Sequence, residues 1–168
     1  MKLGRIVKFA LTIIIFVSLQ VTLCDKIAIK GIVPNIVLPL VVALSVIEGP
    51  VTGALAGLIF GLFSDSLSSG ISIIHSLTYM YLAIIFGNIT NVYLRKNLGT
   101  AMLFTFIGIV ILDECIHFLH FAIWGVSGVF SALFYPILPT AVYSTLIGIP
   151  LYYFVKKFLC KNNGRDYI

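Results

Sequence analysis

Long apolar runs separated by charged punctuation leave this chain few ways to fold. Six stretches, about 6–23, 32–47, 50–65, 71–93, 98–120 and 139–155, are mainly apolar. The longer ones match the roughly 20 residues a helix needs to cross about 30 Å of hydrocarbon. Only 10% of residues are charged, against 60% hydrophobic, whereas a soluble domain carries about 25% charged residues. In lipid every backbone polar group must be satisfied internally, so spanning segments are helices or closed barrels. The expected class is therefore all-α: one polytopic integral membrane domain, a bundle of about six transmembrane helices.

The net charge of +5 does not point to nucleic acid, because the basic residues sit between the apolar runs and form no single patch. They sort instead as the positive-inside rule predicts. With the N-terminus inside, the cytoplasmic side carries Lys2, Arg5, Lys8, Arg95, Lys96, Lys156, Lys157, Lys161 and Arg165, and the outer side carries Lys26 and Lys30. Both termini are expected in the cytoplasm. Segments two and three are short for spanning helices; a re-entrant hairpin keeps the same parity, and two full spans are the favoured reading.

Cys24, Cys115 and Cys160 are odd in number and widely spaced, which gives neither a disulfide framework nor a zinc spacing. Leu23 is too bulky for a lipoprotein signal ending at Cys24, and the apolar stretch from Ile6 is longer than a cleaved signal core. It reads as a retained helix.

Gly49, Gly53, Gly57 and Gly61 recur every four residues, and Asp65 continues the series. Residues four apart share one helix face, and glycines there let a second helix approach to backbone contact. The stripe packs either against another helix of this chain or against a separate protein.

Ionisable groups within a bilayer are costly and face protein or water. In the six-span arrangement Asp65, His75, Asp113, Glu114, His117 and His120 fall at similar depth toward the outer face. Asp113 and Glu114 lie four and three residues before His117, within reach along a helix. A mutually satisfied polar network is favoured over a metal site, since no ligand spacing demands a metal. Trp124 reads as an interfacial anchor. No nucleophile elbow or phosphate-cradling glycine loop is present, so neither an enzyme nor a cofactor is expected.

The runs Pro34-Asn35-Ile36-Val37-Leu38-Pro39-Leu40 and Glu48-Gly49-Pro50 through Gly53, Gly57, Gly61-Leu62-Phe63-Ser64-Asp65 resemble the rod shape-determining protein MreD family, as does Leu138-Pro139-Thr140-Ala141-Val142-Tyr143-Ser144-Thr145-Leu146 near the end. Glu48 stands where that family often has a basic residue, and the Asp113-Glu114-x-x-His117 cluster is no part of its pattern. The resemblance implies a non-enzymatic scaffold of the bacterial cell membrane. Its implied partners are an MreC-type bitopic protein, an MreB-type filament, and the rod-complex glycosyltransferase and transpeptidase that build lateral peptidoglycan. Basic cytoplasmic loops would meet membrane lipids or the filament. The competing reading is the substrate-binding subunit of an energy-coupling factor transporter, with the outer polar cluster as its vitamin or metal site.

Overall fold

The computed structural model describes residues 32–67, 73–124 and 137–159, together with positions 12, 15, 16, 18–20 and 22. The described chain is helical, with no strand among the described residues: α1 Val37–Glu48, α2 Pro50–Leu67, α3 Ile74–Tyr93, α4 Leu98–Trp124, α5 Leu138–Phe154, and a closing π turn Val155–Leu159. Several sequence expectations lie outside these residues: Cys24, Cys160, the outer Lys26 and Lys30, the terminal basic residues, and the side chains of His120 and Trp124.

α1 is the axis of the bundle. A helix that is apolar all round has no solvent face and must be buried on every side. Every residue from Val37 to Ile47 is indeed buried, and α1 touches α2, α3, α4, α5 and the π turn. Its 12 residues reach only about 18 Å at 1.5 Å per residue, less than the hydrocarbon thickness. Segment two is thus a short helix preceded by non-helical chain at 32–36. Pro34 lies in that non-helical lead and Pro39 at the third helical position, within the first turn, where a missing N–H costs no intrahelical bond.

α1 passes to α2 through the single residue Gly49. Its φ of 108° and ψ of 173° lie in a region that essentially only glycine occupies. Its N–H donates to the Ser45 carbonyl at 3.0 Å, and Pro50 then opens α2, where its missing N–H is no loss. α3 and α4 are joined by the four-residue turn 94–97. The Asn97 side chain accepts from the Thr100 N–H at 2.8 Å, an N-cap that satisfies one orphan donor. α4 runs on to Trp124, four residues past the end of the fifth apolar stretch at His120. Phe86 of α3 and Phe104 of α4 stack with centroids 4.5 Å apart.

The outside of the bundle is as apolar as its centre. Val51, Leu55, Ile59, Leu62 and Phe63 form an exposed row along α2, and Leu103, Ile107, Ile111 and Phe118 another along α4. The stretches Leu98–Leu119 and Leu138–Lys157 are long and apolar enough to cross a membrane, with only 28% and 33% of their apolar windows buried inside the protein. A soluble core helix of that composition is mostly buried; exposed apolar faces of this extent belong against lipid or protein.

Candidate functional site

The glycine stripe faces inward, onto α3 and α1. A Cβ added at Gly57 would stand 2.8 Å from the Tyr79 carbonyl oxygen, and one at Gly61 would stand 2.6 Å from the Ser76 nitrogen and closer still to its Cα. At Gly53 the neighbour is Ser45 of α1, with Cβ at 2.5 Å. Gly49 differs: its nearest neighbour would be Asn91 Nδ2 at an ordinary 3.7 Å, and its need for glycine is conformational. The seam is two-sided. Gly87 of α3 lies against Pro50, whose Cα is 2.6 Å from where its Cβ would be. Sequence reading overlooked Gly87, although Ser76, Ala83 and Gly87 place small residues seven and four apart on one face of α3, all buried.

Asp65 completes the seam. Only 5% exposed, its Oδ1 accepts from the His75 N–H at 3.2 Å and lies 2.8 Å from His75 Nδ1. Its Oδ2 accepts from the Ser76 N–H at 3.0 Å and from the Ser76 hydroxyl. These backbone donors belong to the first turn of α3, where N–H groups have no intrahelical partner. The residue at the cap position, Ile73, has no side-chain oxygen to offer and stands at φ 91°, a left-handed conformation unusual for a β-branched residue. Asp65 therefore caps α3 from the neighbouring helix, and its charge opposes the positive end of the α3 dipole. Gly61, one turn earlier, removes the side chain that would keep Ser76 away. Gly-x-x-x-Asp works here as one device: the glycine admits the helix end and the aspartate binds it.

A second polar junction holds the non-helical lead into α1. Asn35 Oδ1 accepts from the Leu38 N–H at 3.0 Å, and its amide donates to the Tyr79 hydroxyl at 3.1 Å. The Asn35 N–H donates to Ser144 Oγ at 2.8 Å. Gln20 brackets the neighbouring backbone, accepting from the Ile36 N–H at 2.6 Å and donating to the Pro34 carbonyl at 3.0 Å. Irregular backbone at membrane depth is tolerated only where protein satisfies it; Gln20 and Ser144 do so from two other segments, and Tyr79 holds the Asn35 side chain from a third. The His75 and Tyr79 rings meet edge-on at 5.9 Å, joining this junction to the Asp65 cap. Replacing Asn35 by alanine removes a helix cap and the Tyr79 partner together. The expected cost is about 1–3 kcal/mol, read as a lowered Tm in detergent, with Tyr79→Phe costing less because the Leu38 cap survives.

Of the six ionisable residues expected at one depth, the five whose side chains are described do not converge. Asp65 and His75 pair, while Asp113, Glu114 and His117 lie half-buried on α4. α2, which carries Asp65, makes no contact with α4 among the described residues, while α3 touches both. No ion pair forms along α4 between Asp113 or Glu114 and His117. Among the described residues no three His, Cys, Asp or Glu side chains come together to hold a metal ion.

A family model described as rod shape-determining protein MreD matches residues 2–162. The chain belongs to the MreD family. No curated protein and no solved structure matches it. Membership brings a role in rod shape determination and a place in a membrane, in keeping with the lipid-compatible exterior of the helices. Within this MreD-family chain, the glycine–aspartate block forms the α2–α3 seam, and Pro34-Asn35 forms the junction at the head of α1.

Proposed function

We propose that this MreD-family chain is a non-enzymatic, six-span scaffold of the bacterial inner membrane, with both termini in the cytoplasm. The Asp65 and Asn35 junctions then lie toward the outer face, and the Glu48 and Arg95 turns lie inside. Its work is to present rigid apolar helix faces to partner membrane proteins during lateral wall synthesis. The observation that carries this reading is the division of α2 into two faces. Its glycine face is filled by α3 and α1, so it is not free for a partner, while Val51, Leu55, Ile59, Leu62 and Phe63 are exposed on the other side. A helix locked from behind offers a fixed surface at low entropic cost to a bitopic MreC-type helix. Through that partner it joins an MreB-type filament and the rod-complex glycosyltransferase and transpeptidase. The transporter-subunit reading draws no support from the family match.

The test is co-purification of the full chain with the MreC-type protein from the same membrane. Leu55→Ala with Ile59→Ala should lower partner recovery at least fivefold while leaving the Tm within a few degrees of wild type, and depletion of the chain should round the cells. Recovery unchanged by substitutions across the whole exposed row of α2 would remove this face from the scaffold reading.

A further inference from the structure

The Glu48 end of the bundle gathers positive charge that the scaffold reading leaves unused. Arg95 and Lys96 stand in the turn just before the apolar stretch that begins at Leu98, and Lys156 and Lys157 stand where the last apolar stretch ends. The Tyr152 hydroxyl donates to the Lys96 carbonyl at 3.5 Å, so the α3–α4 turn and the end of α5 are stitched together one turn before the lysines. Lys96 turns inward, its Nζ donating to the Ile47 carbonyl at the end of α1 at 3.4 Å. Arg95, Lys156 and Lys157 are exposed, and among the described residues none of them forms an ion pair.

The π turn fixes the direction of the lysines. Val155, its first residue, is wholly buried, and the turn packs on α1, which leaves Lys156 and Lys157 pointing outward. Two exposed tyrosines flank the cations, Tyr93 at 81% and Tyr153 at 56%; Tyr153 is braced edge-on against Tyr152 at 5.9 Å. Amphipathic rings of this kind settle at the headgroup level. Glu48 is the one described acid at this end. Asp113 and Glu114 lie 15 or more residues along α4 from Leu98, about 22 Å away, and Asp65 caps the opposite end of α3.

We propose that this ledge binds the phosphate of an anionic phospholipid headgroup, held by Arg95, Lys156 and Lys157 with Tyr93 and Tyr153 at its edges. Three exposed cations on two stitched elements, at the depth where apolar helix gives way to water, match a phosphodiester in the adjacent leaflet better than a soluble ion. The inference leans on the six-span reading only for which leaflet is met. Lipid retention needs no partner protein, so its failure leaves the scaffold reading standing, and failure of the partner test leaves lipid retention untouched.

The experiment uses the purified full chain in neutral detergent, titrated with dioleoylphosphatidylglycerol or dioleoylphosphatidylcholine, with bound lipid counted by native mass spectrometry. The anionic lipid should be retained preferentially. Arg95→Gln, Lys156→Gln and Lys157→Gln should each weaken it about fivefold, following the roughly 1 kcal/mol per basic residue near an anionic surface. Lys156→Arg with Lys157→Arg should bind as wild type, as should Lys26→Gln with Lys30→Gln. The three single substitutions carry the test separately, so the loss of one variant to misfolding leaves the other two to decide it. Equal retention of the two lipids, or wild-type retention by the glutamine variants, overturns the site. Displacement of the lipid by millimolar inorganic phosphate assigns the ledge to a free anion and overturns the lipid source. Glutamine variants that keep the lipid but lose the filament partner would place the ledge on a protein and overturn it equally.

Discussion

Gly61→Ala should leave little folded protein in the membrane, although the change adds a single methyl group. That methyl would stand 2.6 Å from the Ser76 nitrogen and 2.9 Å from the His75 carbonyl carbon. Both are backbone atoms at the start of a helix, so neither moves unless α3 moves as a body. Alanine gains up to about 1 kcal/mol over glycine in helix propensity, but overpacking costs about 1–3 kcal/mol even where side chains yield. Displacing α3 also pulls His75 and Ser76 off Asp65, so the net loss should reach about 3 kcal/mol or more. The other glycines set the scale. Gly57→Ala and Gly53→Ala meet Tyr79 and Ser45 at 2.8 Å and 2.5 Å and should be nearly as harmful. Gly108→Ala meets the ends of the Leu38 and Phe86 side chains at 3.2 Å and of Leu82 at 3.5 Å and should be mild, and Gly99→Ala, 3.6 Å from the Asn97 side chain, should be neutral. Detergent Tm and the monodisperse fraction of fluorescent fusions measure the order. A Gly61→Ala protein with wild-type Tm would mean that α2 and α3 do not approach this closely.

That seam was the most readable part of the chain, because a four-residue spacing maps directly onto one helix face. The buried axis was not readable: Val37 to Ile47 offers no polar face, but the other segments are also mainly apolar, and only the helix contacts show which one sits at the centre. The junction at Asn35 was not readable. Pro34 and Pro39 were seen at the head of segment two, but five residues of non-helical chain inside a long apolar run carry no periodic signal. The polar groups that satisfy that backbone, Gln20 and Ser144, and the Tyr79 hydroxyl that holds the Asn35 side chain, come from distant segments and are neutral. Asp113, Glu114 and His117 carry charge-bearing groups at helical spacing, yet they share α4 only with each other, and α2, which carries Asp65, does not touch that helix among the described residues. Depth along an axis can be counted from sequence; azimuth around the bundle depends on which helices touch. Gly87 escaped because a lone glycine has no spacing of its own, and only the partner surface gives it meaning.

Asp65→Ala should destabilise the protein by about 2–4 kcal/mol, through the start of α3 rather than through the seam. Two backbone donors, one on part-buried His75 and one on buried Ser76, would lose their acceptor. Loss of a cap costs about 0.5–2 kcal/mol, and each buried donor left unmade costs about 1–3 kcal/mol, partly recovered if the first turn frays. Asp65→Asn keeps one acceptor oxygen but turns an NH2 group toward donors that need an acceptor, so it should recover less than half of the loss. His75→Ala should be the mildest of the set, because residue 75 still presents its backbone N–H and the lost ring is 26% exposed. Hydrogen exchange separates the two devices: Asp65→Ala should lose protection at 74–78 while 50–60 stays protected, whereas Gly61→Ala should lose both. Because Gly61 and Asp65 act on the same two residues, the double substitution should cost clearly less than the sum of the singles. Additive losses would mean that the glycine and the aspartate serve separate contacts, and wild-type protection at 74–78 in Asp65→Ala would mean that the carboxylate does not cap the helix.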